Sequence, residues 1–244
     1  MARPTPLSSL VVVAVGLGAL PCCIPDPNGS DGPSLDEEAA EGEGEGEGKG
    51  EGKGEGEGEV EGEGEGEGVL KNYVAGCTVD ALNPTLPGEA GFLALETFAA
   101  PSSSFTVGGV RYALVNDGVQ CDATLAHEVF VFVFPGTDPP TSPSTNAQSI
   151  GAALVPADPA RTDGVLSLTV ALSEPYVLTP GERLGVAVRL NDDDNGHSLC
   201  LGMCVEDVRR DVSFWSNAAD EPYAWEDLVG GFSLGNLLIE ATAP

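Results

Sequence analysis

The chain has 244 residues with 39 acidic against 10 basic side chains and a formal charge of −29 at pH 7. Residues 31–68 carry −14 of it (16 acids against Lys49 and Lys53), and residues 69–244 carry −15 (22 acids against 7 bases). A field of that size repels phosphate backbones and anionic lipid, so it excludes nucleic acid and leaves neutral glycans, proteins and divalent cations as partners.

The chain starts with one base, Arg3, followed by an apolar run from Leu10 to Leu20. That run is too short to span about 30 Å of bilayer hydrocarbon and reads as an export signal. It ends at Cys22 and Cys23, with Leu20 three positions before Cys23. A cysteine directly after such a segment resembles the bacterial lipoprotein signal. The resemblance implies cleavage and acylation at Cys23, or at Cys22; the alternative is an ordinary cleaved signal. Residues 1–23 are therefore read as signal, and an acylated cysteine would make the membrane a partner.

Residues 24–68 read as a linker, because "EGEGEGEGKGEGKGEGEGEVEGEGEGEG" at 41–68 alternates an acid with glycine almost throughout. It offers nothing to bury, glycine maximises backbone entropy, and neighbouring glutamates repel. A disordered tether is expected, about 35–40 Å from end to end and longer where like charges stretch it.

From residue 69 onward, short apolar runs alternate with Gly, Pro, Asn, Asp and Ser clusters, and no long segment holds a period of 3.6. Strands are expected over 92–99, 105–115, 127–134, 149–155, 165–172, 183–190, 212–216 and 236–242. In "HEVFVFVF" (127–134) both alternating sets are apolar, which predicts a central strand covered on both faces. "VLSLTVAL" (165–172) alternates Leu166, Leu168, Val170 and Leu172 with Ser167, Thr169 and Ala171, so one face lies in the core. Pro180-Gly181 predicts a turn between two extended runs. Residues 69–244 are thus expected to form an antiparallel β-sandwich.

"LTPGERLGVAV", followed by "FWSNAADEPYAWEDLVGGFSLGNLLIEATA", resembles the last strands of jelly-roll accessory modules in bacterial exported proteins. The resemblance implies a jelly-roll-like sandwich of the plan used by carbohydrate-binding and adhesive surface domains. It specifies the fold better than the ligand.

Four cysteines remain in the folded region: Cys77, Cys121, Cys200 and Cys204. In an oxidising compartment they imply two disulfides. Cys77 with Cys121 and Cys200 with Cys204 is the expected pairing, and the second pair requires "CLGMC" to bend, at Gly202. Zinc held by His197, Cys200 and Cys204 is the competing reading, but it lacks a fourth ligand.

"NDDDNG" at 191–196 places Asn191, Asp193 and Asn195 at the first, third and fifth positions of a calcium loop, with Asp192 or Asp194 as further donors. Position twelve is Gly202 where a bidentate Glu is wanted, so a solvated connection is the alternative; no other cofactor is expected. "GFSLG" at 231–235 matches the nucleophile elbow of hydrolases at Ser233, but that arrangement needs a helix after the serine and a later histidine, whereas His127 and His197 both come earlier. No nucleophile, base and orienting group assemble from the sequence, and an enzyme is not expected.

Trp215, Tyr223 and Trp225 lie among Asn217, Asp220, Glu221 and Glu226, as a sugar-binding face requires; the alternative makes them core residues. The sequence thus predicts an exported, non-enzymatic binding or structural module of the bacterial cell envelope on a flexible acidic tether. It would meet a glycan or an envelope protein, and a carbohydrate-binding module using those three rings is the alternative.

Overall fold

The computed structural model describes residues 68–83, 91–140, 142–144, 146–162, 164–193, 195–216 and 218–244. The expected signal, the cysteines at 22 and 23 and nearly all of the linker lie outside them. In chain order the elements are β1 (Val69–Lys71), β2 (Val79–Leu82), β3 (Phe92–Ala99), β4 (Phe105–Asn116), β5 (His127–Pro135), β6 (Gln148–Val155) and β7 (Gly164–Leu178). There follow β8 (Glu182–Leu190), β9 (Cys200–Cys204), β10 (Ser213–Ser216), β11 (Trp225–Asp227), the short helix α1 (Leu228–Phe232), β12 (Asn236–Leu237) and β13 (Ile239–Thr242).

The strands form two antiparallel sheets, as the alternation predicts. One runs β11-β10-β3-β8-β5-β6; the other runs β1-β13-β4-β9-β12, with β7 on β4 and β2 on β9. The nested pairs β3 with β8, β4 with β7 and β5 with β6 amount to one long hairpin, rolled up until β5 also meets β8. That is the jelly-roll plan.

The strand signals decide which faces are buried. In β5, Val129, Val131 and Val133 point between the sheets, while Phe132 and Phe134 lie in a second apolar cluster on the outer face with Phe130 against them. Both faces are covered, as two apolar sets require. In β7, Leu168 and Val170 are buried in the inner core and Leu166 and Leu172 pack against it. The Pro180-Gly181 turn joins strands of different sheets, so it makes a corner of the sandwich rather than a hairpin.

Three local expectations are corrected. "CLGMC" does not bend: it is the straight strand β9, and a Cβ at Gly202 would meet Ala113 Cβ and Leu238 Cδ1, both at 3.1 Å. The glycine is there for close packing. The expected strand at 236–242 is interrupted at Leu238, giving β12 on β9 and β13 on β4. Helix α1 stands in "LVGGF", where two glycines conceal it from a propensity reading. Asp227 starts it by accepting hydrogen bonds from Gly230 N at 2.9 Å and Val229 N at 3.4 Å.

Candidate functional site

The four cysteines among the described residues are all paired, but differently from expectation. Cys77 bonds Cys204 and Cys121 bonds Cys200, spanning 127 and 79 residues of sequence. The physical reason is the straightness of β9. Four residues along a strand span about 13 Å, beyond the roughly 4.4–6.8 Å between Cα atoms that a disulfide bridges. Each cysteine of β9 therefore reaches to a different segment, and the Cα separations there are 5.8 and 5.3 Å. With both thiols in disulfides, neither Cys200 nor Cys204 is available as a zinc ligand beside His197.

The loop between β8 and β9 is a network of turns. Asp193 accepts hydrogen bonds from the backbone N of Asn195 and of His197, both at 2.8 Å, from Asn195 Nδ2 at 3.1 Å and from His197 Nδ1 at 3.0 Å. Asn191 turns away, and its Nδ2 donates to Ala126 O at 2.8 Å. Asp194 lies outside the described residues. The donors around Asp193 hold its carboxyl well below the usual carboxylate range, and the Asp193 carboxylate raises His197. Among the described residues no three His, Cys, Asp or Glu side chains are placed to hold a metal ion. With both Asp193 oxygens already bonded, added calcium or a chelator is expected to leave the melting temperature unchanged. Asp193→Asn is expected to return the His197 titration, followed by NMR, towards its ordinary value.

The aromatic set is divided by the sheet it sits on. Trp215 points inward from β10, 6% exposed, with Phe92 edge-on at 5.8 Å. Trp225 and Tyr223 lie on the opposite face, 5% and 6% exposed, their rings 5.1 Å apart and Tyr223 edge-on to Phe132 at 5.8 Å. The loop before β6 is tied over them by Ser144 N donating to Tyr223 O at 2.9 Å. The sugar platform of Trp215, Tyr223 and Trp225 is therefore corrected: the three rings share no surface, and each fills a core.

Ser233 takes a left-handed conformation at φ 57°, but as the C-cap of α1. The helix precedes the serine, the reverse of a nucleophile elbow. His127, fully buried at the start of β5, hydrogen-bonds Tyr112 OH through Nε2 at 2.6 Å and faces Leu125 O with Nδ1 at 3.1 Å. Burial lowers its pKa to about 4, so the imidazole is neutral and its partners are those of a core histidine.

The sequence reading missed a polar cluster built on Glu96. This carboxyl is completely buried, takes a hydrogen bond from Asn72 Nδ2 at 2.7 Å and another from Ser213 Oγ. Ser213 Oγ in turn accepts from Asn236 Nδ2 at 3.0 Å and Leu237 N at 3.2 Å. The cluster thus ties β3, β10, β12 and the segment after β1 together. The signal was present in "FLALETFA": Glu96 is in phase with Ala94 and Phe98, both inward-facing.

Burial pushes Glu96 from an ordinary 4.5 up to about 8. The folded state therefore holds this proton more tightly than the unfolded state. Its contribution to stability is complete below about pH 4.5 and is lost as pH rises to about 8. His127 has the opposite sign: its contribution is present above about 6.5 and is lost as pH falls towards 4. Between about pH 6.5 and 8 the His127 slope is absent, His197, raised by Asp193, declines in the same direction as Glu96, and the Glu96 share costs the wild type roughly 2 kcal/mol. Urea unfolding of Glu96→Gln is expected to lack that decline.

A small crevice opens between β5, β6 and β7, lined by Val129, Val131, Gly151, Val170 and Leu172, with a volume of about 10 Å³. That is room for about one water.

No family model and no curated protein matches this chain. Among solved structures, it is similar to the cysteine protease and lectin-like domains of Cwp84, a surface layer associated protein of Clostridium difficile. The TM-score is 0.43 and the identity 15%, over 63% of this chain and 32% of that one. This chain thus spans about a third of that structure's length, and a likeness at that score carries no inference about fold or ligand. What the folded region offers is a charged surface, an apolar interior and two disulfides.

Proposed function

We propose that this protein is a non-enzymatic module of the cell envelope, exported, held to the membrane through an acyl group on Cys23 or Cys22, and displayed on the acidic tether of residues 24–68. The single observation that carries the reading is the state of the cysteines: all four in the folded region are paired. Buried or half-buried disulfides closing loops this long belong to oxidising compartments. Three further features support it. The residues that could act as nucleophile or base have structural roles: Ser233 caps a helix, His127 is a core residue, and His197 is engaged by Asp193. The interior aromatic rings are packing pieces. The −15 charge of residues 69–244 directs the module away from polyanions and towards neutral or cationic envelope proteins or neutral glycans.

The experiment is fractionation of cells producing the full chain, followed by mass spectrometry of the mature N-terminus. The expected result is envelope-bound protein beginning at Cys23 or Cys22 with acyl mass added. Cytoplasmic protein with an intact Met1 and free thiols would overturn the reading, and a soluble, unmodified mature N-terminus would overturn the anchor while keeping export.

A further inference from the structure

Strand β6 is the last strand of its sheet, and β7, which follows it in sequence, is paired only with β4 among the described residues. Among the described residues each of these strands leaves an edge unpaired, and the two lie on one flank with the apolar crevice between them. In a region with 29 charged side chains, counting 22 acids and 7 bases, these strands of eight and fifteen residues carry only Glu174. Exposed sheet edges are normally blunted by charge or proline. Strand β7 has both, at Glu174 and Pro175, while β6 has neither. Its one irregularity is a register shift beside Ile150, after which Gly151 to Val155 run regularly along β5.

We propose that the β6 edge is where a second copy of this chain docks, two β6 strands pairing antiparallel across a two-fold axis. A two-fold interface must be self-complementary. With Ala153 on the axis, Gly151 opposes Val155 and Ala152 opposes Leu154, and no charged pair is created. Ala152 and Leu154 are both solvent-exposed in the single copy, Leu154 at 59%. Copies that each carry −15 over residues 69–244 repel wherever carboxylates oppose one another, and this strip allows close approach without that. The proposal goes beyond the envelope reading, since it concerns what this flank binds rather than where the protein resides.

The test is sedimentation of the full chain carrying Cys22→Ser and Cys23→Ser, which removes any acyl group or linker disulfide as a cause of association. A species of twice the chain mass is expected up to about 0.5 mM protein, its fraction growing with salt as the repulsion between copies is screened. Ala152→Glu and Leu154→Glu are each expected to weaken association about tenfold or more, with melting curves like the parent's because both side chains are exposed. Hydrogen exchange at residues 151–155 is expected to slow as concentration rises. A chain that stays at single mass at every concentration and salt overturns the proposal, as does a dimer that neither substitution weakens. A monomer whose β6 pairs only with another protein overturns the choice of partner.

Discussion

Removing the Cys121–Cys200 bridge by substituting both cysteines with alanine is expected to lower the melting temperature by roughly 10–20 °C. The bridge closes a loop of 79 residues and the Cys77–Cys204 bridge one of 127. In the chain-entropy account, loops of that length restrict the unfolded state by roughly 4–5 kcal/mol each. Cys200 is fully buried, so the alanine variant also loses packing there. The Cys77 bridge secures the segment around β2 to β9, while the Cys121 bridge secures the connection between β4 and β5 to the other end of β9. The two losses are expected to combine almost additively, since they hold different segments. Reducing agent under native conditions, read by calorimetry, is expected to give the sum.

The second large effect belongs to the tryptophans. Trp215→Ala is expected to cost about 3–5 kcal/mol, because a large side chain leaves a cavity between two sheets that cannot close over it. Trp225→Ala is expected to cost a similar amount, from the outer cluster with Tyr223, Phe132 and Phe134. Denaturant unfolding measures both. A sugar-binding role predicts the opposite pattern for Trp225→Ala: an unchanged midpoint and a lost ligand. The burial of these rings predicts a lowered midpoint, and titration of soluble saccharides is expected to leave the tryptophan fluorescence of the wild type unmoved.

The sequence reading is accurate where periodicity acts alone. The double apolar set of β5 marked a strand covered on both faces, and the alternation in β7 marked its inward residues correctly, because a strand's period of two directly records which face is buried. It failed where a residue type has more than one structural use. Pairing Cys200 with Cys204 requires a bend at Gly202, yet the role of that glycine is to let β9 lie close to Ala113 and Leu238. Nearness in sequence favoured that pair, and the straight strand rules it out. Trp215, Tyr223 and Trp225 lie close together in sequence, but β10 and β11 place them on two faces of one sheet, and spacing across a turn does not record that. Glu96 was overlooked as the acid of an otherwise apolar strand, although its inward phase pointed to the polar cluster it anchors. Arg183 is a similar case: it lies buried at the start of β8, donating to Thr97 Oγ1 at 2.9 Å and to the carbonyls of Thr137 and Asp211. Such contacts between distant segments depend on the rolled topology, which local pattern does not contain.

The central claim, an exported jelly-roll domain stapled through β9, is tested most directly by disulfide mapping. The protein would be taken from the cells that make it, alkylated without reduction, digested and analysed by mass spectrometry. The account predicts two crosslinked species, one joining the peptides of Cys77 and Cys204 and the other those of Cys121 and Cys200, with no alkylated cysteine in the folded region. Four alkylated cysteines would contradict both the bridges and the oxidising location inferred from them, and a Cys200–Cys204 link would contradict the straight strand on which the fold depends.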